Sequence, residues 1–548
     1  MPFRRSLTAM ASLAFALGAA AQTAPPSSAP KPSAPPPAPT TAPPTEGVDV
    51  PPKIVVRPAQ GAGPFKVSRR ALAKAYIELE RIVAADAATT SPEVIRAVNQ
   101  GFDSATDSFF VGDYSTAVKI IHDQIRRLSI GRIGPALDHY DFALDRAYIP
   151  VGVVTDVNVR VASMYASELK PEPRESIFGA NCAQSGGQTP LRLPDADGSV
   201  SQAVMPIRPK SAGECVLSFG PYGAAAPVGA TIRATPVPLD RMRVNYLRRV
   251  NAIPNADEQL QPAVRACRAR IELLSDAPDE SNSARFMQRL DELSAAIPAE
   301  LDALEHEHDP YVRRTGDLWA TIDVGGASVP VRIYVPDRPP IDPGGARPLV
   351  IALHGAGGDE NLWPDGYGGG VMRTISQREG FILLSPQVPI TAAFEGFFDA
   401  LVAGAERWLE IDKTRIYVIG HSMGGGVAAA WAKSRADRIA AVCTIAGIGQ
   451  FRGATRLPPT LVIAGELDPL ITPDRAKRDA ETARAGGLPV EYREIKDYGH
   501  TLVVARAASD VVDWFLKQRL PAAPKPADKP GAEGPTTPPP AASEPAKP

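Results

Sequence analysis

The stretch that most constrains the fold of this chain lies at residues 416–425. Its first four residues are apolar and of strand type, and they run directly into the pattern Gly420-x-Ser422-x-Gly424. The alanine-rich segment that follows, residues 426–434, has helical composition. The order of strand, tight turn and helix predicts a serine hydroxyl presented on the turn, with flanking glycines that let neighbouring backbone pass close by.

The pattern around this stretch predicts an α/β domain at residues 311–520, with a mostly parallel sheet and helices on both faces. A hairpin with strands 318–324 and 329–335 opens it, and the continuous apolar run 348–353 is typical of a parallel strand buried on both faces. The remaining expected strands are 381–385, 415–419, 440–445, 460–464 and 490–495, and the expected helices are 371–379, 397–410, 473–485 and 501–517.

The groups that an activated serine needs follow Ser422 in the chain. A serine hydroxyl becomes nucleophilic when a base takes its proton and a third group orients that base. On such a sheet the order is serine, acid, histidine. Asp468 lies just past a strand, with Glu466 as the alternative, and His500 is the only histidine after the serine. The sequence therefore predicts Ser422 as nucleophile, Asp468 as acid and His500 as base, with no cofactor and no metal.

An oxyanion hole needs two backbone N–H donors. We expect one from Met423, the residue after the nucleophile. The second is expected from the glycine-rich stretch 354–358, at Ala356, with Gly357 as the alternative.

A long loop, residues 359–370, follows this glycine-rich stretch. It carries Trp363 and Tyr367, which are candidates for lining the substrate pocket. Plain packing is the alternative for both rings.

With these motifs, residues 314–520 resemble the α/β-hydrolase superfamily. Within it, the segment Ile411–Gly425 is similar to the secreted polyhydroxybutyrate-depolymerase and feruloyl or acetyl-xylan esterase branch. It is also similar to the catalytic domain of prolyl-oligopeptidase-type peptidases. The resemblance implies a serine hydrolase, most simply of carboxylic esters. A peptidase and a non-catalytic binding protein with a hydrolase fold are the alternatives.

The sequence departs from both branches. Ala356 stands where depolymerase-like esterases often carry a cysteine, and residues 64–310 show no blade repeats of the peptidase propeller. No large insertion lies between Ile445 and Thr460, so we expect no cap domain there. An open site of this kind would suit a bulky or polymeric ester.

The N-terminus has the pattern of a secretory signal peptide at residues 1–21. Arg4-Arg5 precede the apolar run Leu7–Ala20. That run is shorter than the ~20 residues a membrane span needs. We therefore expect cleavage and export to the periplasm or beyond, with no stable membrane span. The composition of the Pro-rich segments 22–63 and 521–548 predicts solvated, disordered spacers. Such spacers could associate the protein with the cell envelope.

Between these segments the sequence predicts helices at 64–147, a β-rich module at 148–238 and helices again at 239–310. Residues 105–117 resemble the turn of a tetratricopeptide repeat, but a single copy favours an ordinary helical hairpin. The run 305–309 is rich in histidine and acid, and we interpret it as a solvated helix end rather than a metal site.

The net charge bears on possible binding partners, and the cysteines bear on possible disulfides. A net charge of −2 offers no basic surface for nucleic acid. Of the four cysteines, Cys182 and Cys215 flank one strand-rich region and are the favoured pair if a disulfide forms. The other pairings stay open for Cys267 and Cys443.

Overall fold

The computed structural model describes residues 66–86, 89–128, 139–166, 175–181, 188–192, 200–220, 228–253, 258–277, 283–340, 345–388, 396–447 and 451–521. The predicted signal peptide, the linker 22–63, the tail beyond residue 521 and Cys182 lie outside these residues. In the part of the chain that is described, no helix combines the length and the apolar character needed to cross a membrane.

Three helices open the described chain: α1 (Arg69–Asp86), α2 (Pro92–Phe110) and α3 (Tyr114–Leu128). Ser91 caps α2, since its side chain accepts the Val94 amide and Pro92 occupies the first turn. Helices α2 and α3 form an antiparallel hairpin, and α1 packs beside it.

A β-sandwich follows these helices. Sheets of order β1-β3-β6 and β2-β8-β7-β4-β5 enclose an apolar core that includes Val159, Met205 and Ile232. The first strand begins at Tyr140, inside the range for which the sequence predicts helices. The strands are β1 (Tyr140–Leu144), β2 (Tyr148–Pro150), β3 (Thr155–Ser163), β4 (Glu175–Asn181), β5 (Gln188–Arg192), β6 (Val200–Ile207), β7 (Gly213–Gly220) and β8 (Val228–Thr235).

The cysteines divide into two states. Cys215 on β7 is disulfide-bonded, whereas Cys267 and Cys443 are free and buried. Burial raises the pKa of the Cys267 thiol to about 12, so it stays protonated at neutral pH. Both free cysteines therefore act as small core residues.

Four helices connect the sandwich to the C-terminal domain: α4 (Leu239–Ala252), α5 (Gln261–Glu272), α6 (Ala284–Met287) and α7 (Leu290–Glu305). A buried ion pair ties them together, because Arg270 on α5 donates two hydrogen bonds, of 2.9 and 2.8 Å, to Glu300 on α7. The same guanidinium donates to the carbonyl of Trp319 at 2.6 Å, which attaches the helices to the first strand of the next sheet.

The C-terminal domain holds an eight-stranded sheet of order β9-β10-β12-β11-β13-β14-β15-β16. The pairs β9–β10 and β10–β12 are antiparallel, and the other pairs are parallel. The α/β class with a mostly parallel sheet is therefore confirmed. The strands are β9 (Gly316–Val324), β10 (Ala327–Val335), β11 (Arg347–Leu353), β12 (Ile382–Pro386), β13 (Ile411–His421), β14 (Ala441–Ile445), β15 (Thr460–Gly465) and β16 (Val490–Ile495); the helices are α8 (Val371–Glu379), α9 (Phe397–Glu406), α10 (Met423–Ser434), α11 (Pro473–Ala485) and α12 (Val503–Phe515).

Alternate residues of the central strands enter two different cores. On β11, Leu349 and Ile351 join the core shared with α4–α7, whereas Val350 and Ala352 join the core shared with α1–α3 and α12. The N-terminal helices therefore pack on one face of this sheet and share its core.

Candidate active site

Ser422 lies on the sharp turn between β13 and α10, with φ 51° and ψ −112°. A positive φ is strained for a residue with a side chain, and such strain is held only when the surroundings fix it. Two glycines make the turn possible. A Cβ on Gly420 would lie 2.2 Å from the Gly424 carbonyl oxygen, and one on Gly424 would lie 2.3 Å from the Leu353 carbonyl oxygen. The glycines of the motif are therefore required by backbone packing.

The structure brings Ser422, Asp468 and His500 together in one hydrogen-bonded chain. His500 Nε2 lies 3.0 Å from Ser422 Oγ, and His500 Nδ1 lies 2.9 Å from Asp468 Oδ2. The other oxygen of Asp468 accepts the Leu470 and Ile471 amides, each at 2.8 Å. Because both oxygens of Asp468 act as acceptors, Nδ1 carries the proton and Nε2 is free to accept from the serine hydroxyl.

Glu466, the alternative acid, is engaged elsewhere. Its Oε2 accepts from Arg96 Nη2 and from the Asp497 amide, each at 2.8 Å. Arg96 also donates to Asp497 Oδ1 at 3.0 Å. Asp468 is therefore the carboxylate that contacts His500, while Glu466 links two loops to helix α2.

One face of helix α2 holds the loop that carries His500. Asp103 Oδ1 accepts the His500 amide at 3.1 Å, and Asn99 Oδ1 accepts the Gly499 amide at 2.8 Å. Arg96, Asn99 and Asp103 lie three and four residues apart, which places them on one side of the helix. Sequence analysis missed all three, since nothing in the helical pattern indicates which loop the helix contacts.

His421 holds the same loop from the other side. Its Nε2 donates to the His500 carbonyl oxygen at 3.0 Å, and its Nδ1 accepts from the Tyr367 hydroxyl at 2.6 Å. Burial lowers the pKa of His421 well below its ordinary range, and neighbouring His500 lowers it further. The ring is therefore neutral, and it positions the backbone of His500.

Two buried carboxyl groups on the N-terminal helices lie near this network. Burial raises the pKa of Asp103 to about 7; Asp468 raises it further, and His500 acts in the opposite direction. Burial also raises the pKa of Glu80 on α1 to about 7. Asp103 Oδ2 has no hydrogen-bond partner among the described residues, which suits a carboxyl group that is protonated at mildly acidic pH.

The two predicted oxyanion donors both lie beside the elbow. Met423 is the first residue of α10, where helix amides point outward and the helix dipole favours negative charge. Ala356 lies in the turn closed by the Gly358 amide and the Gly355 carbonyl, at 3.2 Å. Neither the Met423 nor the Ala356 amide donates to any described residue.

The glycine-rich turn at residues 354–358 carries the predicted donor Ala356 and is hereafter called the oxyanion turn. Its inner side is fixed to the sharp turn at Ser422, the elbow. A Cβ built on Gly355 would lie 3.4 Å from the Cβ of Ser422, so the turn passes directly beside this serine. Gly357 has φ +79°, a conformation that glycine adopts without strain. His354 is buried before the turn, with Nδ1 2.8 Å from the Gly355 carbonyl oxygen.

The two aromatic candidates for substrate contact differ in their surroundings. Trp363 and Tyr367 are both fully buried and meet edge to face, with ring centroids 4.9 Å apart. Tyr367 borders the cavity beside the site, whereas Trp363 does not. Core packing therefore accounts for Trp363, and Tyr367 acts chiefly through its hydroxyl on His421.

A cavity of about 200 Å³ lies between the N-terminal helices and the oxyanion turn. Leu72, Phe102, Phe109 and Ile121 contribute to its wall from α1, α2 and α3. In the sequence, 14 residues separate β14 from β15. On this side the wall beside the site includes helices α1–α3, which lie far upstream in the chain.

The histidine- and acid-rich run at the end of α7 is occupied with local contacts. Glu305 pairs with Arg249, and His306 Nδ1 lies 2.7 Å from the Asp302 carbonyl. Among the residues that the structure describes, no group of three or more His, Cys, Asp or Glu side chains is arranged to hold a metal ion.

The chain is similar to several solved structures. No protein-family model and no curated protein matches the sequence. Among solved structures, the chain is similar to a thermostable esterase, at 14% identity and a TM-score of 0.34, over 68% of this chain and 98% of the esterase. It is also similar to the fluorophosphonate-binding serine hydrolase F of Staphylococcus aureus, at 13% identity and 0.31, over 37% of this chain and 99% of that one. An S-formylglutathione hydrolase from Agrobacterium tumefaciens gives 17% and 0.31, over 38% and 97%.

Proposed function

We propose that this protein is an exported serine hydrolase that cleaves carboxylic esters through an acyl-enzyme intermediate. One observation carries the proposal: the unbroken chain Ser422 Oγ, His500 Nε2, His500 Nδ1 and Asp468 Oδ2, with contacts of 3.0 and 2.9 Å, on a strained turn after a parallel strand. Nucleophile, base and orienting acid in this geometry form the arrangement of acyl-transfer hydrolases.

In the proposed reaction, Ser422 attacks the ester carbonyl while His500 Nε2 takes its proton. Asp468 holds the imidazole in the required tautomer and stabilises the positive charge that develops on it. The amides of Met423 and Ala356 donate to the oxygen of the tetrahedral intermediate. His500 then protonates the leaving alcohol. It next takes a proton from water, which attacks the acyl carbon. As the bond from that carbon to Ser422 Oγ breaks, His500 gives the proton to Oγ and the acid is released.

The positions of the two proposed oxyanion donors support this assignment. Removing one such donor typically costs on the order of 10²–10³ in rate. A substitution cannot remove a backbone amide cleanly, but Ala356→Pro replaces the donor with a ring nitrogen. We expect kcat to fall by a similar factor in this variant, although Ser422 itself is unchanged.

We also propose export, on two observations. Residues 1–21 have the pattern of a cleaved signal peptide, and the disulfide at Cys215 suits an oxidising compartment. Expression of the full chain and of a chain starting at residue 22, followed by fractionation, tests this. Equal cytoplasmic retention of both would contradict it.

A fluorophosphonate probe tests the reaction itself. We expect the full-length protein to be labelled and to hydrolyse p-nitrophenyl acetate, and Ser422→Ala to lose both activities. Ser434→Ala is the matched control, because Ser434 lies at the far end of the same helix and its hydroxyl donates to the Ala430 carbonyl oxygen one turn earlier. Absence of labelling in the wild type would refute the proposal. Faster cleavage of peptides than of esters would assign the site to a peptidase.

A further inference from the structure

The cavity beside the oxyanion turn lies next to the proposed reacting groups. Ala356, His421 and Thr501 all border it. The first is the proposed second oxyanion donor, and the other two are the chain neighbours of Ser422 and His500. Gly355, another residue of the wall, passes beside Ser422, so a group in the cavity lies next to the position of the carbonyl in the proposed reaction.

The wall of the cavity is predominantly apolar. Leu72, Phe102 and Ile121 are buried side chains that face it from three different helices. The charged pair on the wall, Arg69 and Asp359, is mutually neutralised across 3.7 Å. Apolar walls favour an apolar ligand, since each buried methylene gains ~0.8 kcal/mol on leaving water.

The volume sets the size of the ligand. A dry apolar cavity of about 150 Å³ holds one benzene molecule. At about 200 Å³, this cavity has room in proportion for about eight carbon atoms. It is therefore sized for a medium-chain or single-ring group.

Helix α2 fixes the cavity against the site. A Cβ on Gly357 would lie 2.5 Å from the ring of Phe109, so the aromatic side chain rests directly on the oxyanion turn. Phe109 in turn stacks on Tyr114 at the start of α3, with centroids 5.8 Å apart. The wall and the turn are thus packed as one unit.

We propose that this cavity is the acyl-binding subsite, and that it selects esters of apolar acyl groups of about eight carbons. The inference rests on the proposed function and extends it to a substrate class. It also assigns a role to the N-terminal helices, which supply 11 of the 25 residues that line the cavity.

A series of p-nitrophenyl esters from acetate to dodecanoate, with the full-length protein, gives the first test. We expect kcat/KM to rise about fourfold per methylene, the equivalent of ~0.8 kcal/mol, up to about the octanoate, and then to fall. A flat profile, or one that keeps rising to the dodecanoate, would contradict the volume argument.

A pair of identical substitutions on α1 gives the second test. Ala73 is half-buried and lines the cavity, whereas Ala84 on the same helix is exposed. Ala73→Leu adds three carbon atoms to the cavity and should lower the ratio of octanoate to acetate kcat/KM at least tenfold. Ala84→Leu should leave that ratio unchanged. Equal ratios in the two variants would overturn the proposal.

Binding of free octanoate, measured by titration calorimetry, separates the subsite from the reaction. If no ester is cleaved and no probe reacts, but octanoate binds and Ala73→Leu weakens it, the reaction is wrong and the subsite stands. If esters are cleaved with no preference for chain length and octanoate does not bind, the reaction stands and the subsite is wrong.

Discussion

Replacing Glu80 by glutamine is expected to stabilise the folded protein at pH 8 and to have little effect at pH 4.5. Glu80 is completely buried on α1, where Oε1 accepts from the Tyr76 hydroxyl at 2.8 Å and Oε2 accepts from the Gly368 amide at 2.9 Å. A glutamine fits the same contacts. Its carbonyl oxygen can accept from Gly368, and its amide can donate to Tyr76, whose hydroxyl is able to act as acceptor.

The magnitude follows from linkage between ionisation and folding. Burial raises the pKa of Glu80 from 4.5 to about 7, so the folded state holds its proton where the unfolded state has lost it. Below pH 4.5 the group is protonated in both states and has no effect. As pH rises from 4.5 to 7, the free energy of unfolding falls by about 3 kcal/mol, at ~1.36 kcal/mol per pKa unit. Glu80→Gln removes that loss.

The assay is urea unfolding of the full-length protein at pH 4.5 and pH 8, followed by circular dichroism. We expect Glu80→Gln to raise the free energy of unfolding by about 1–3 kcal/mol at pH 8 only. Glu78→Gln is the control, since Glu78 is exposed on the same helix and should change stability by less than ~0.5 kcal/mol. Destabilisation by Glu80→Gln at pH 8, or the same gain at both pH values, would refute the reasoning.

Three further predictions concern the site. Arg96→Ala removes the link between α2 and the two loops that carry Asp468 and His500. We expect kcat to fall several-fold while the thermal midpoint changes little, and an unchanged kcat would show that the link is dispensable. Asp103→Asn keeps an acceptor for the His500 amide and removes a group whose pKa is about 7. We therefore expect the pH profile of kcat/KM to lose one ionisation near pH 7. A profile identical to that of the wild type would count against a role for Asp103 in that ionisation. Gly424→Ala places a Cβ 2.3 Å from the Leu353 carbonyl oxygen, so the variant should not react with the fluorophosphonate probe, and normal labelling would contradict the elbow geometry.

The α/β domain could be predicted closely because its signals are local. Apolar runs, glycine turns and a proline at a helix start are properties of neighbouring residues. The helices at 371–379 and 473–485 and the strand at 490–495 begin and end where the sequence predicts them. Asp468 and His500 could be found for the same reason, since each follows a strand whose end is recognisable.

The contacts that complete the site are not local. The Asp103–His500 hydrogen bond joins residues 397 positions apart. The periodicity of α2 shows that it has a buried face, but not which surface covers it. His421 precedes Ser422 in the sequence, but the sequence does not show that its ring positions the backbone of His500. That role depends on contacts with Tyr367 and the His500 carbonyl oxygen, which only the folded chain brings together.

The N-terminal helices are therefore part of one structural unit with the α/β domain in three physical respects. Side chains such as Leu79 and Val98 complete the core on one face of the sheet. One side of α2 bonds the backbone of the proposed base and its neighbour. Phe109 rests on the oxyanion turn and closes the cavity beside it. Because the same helix positions the base and shapes the cavity, any substitution that shifts α2 should change rate and chain-length preference together. Changes confined to the rim of the cavity should affect preference alone.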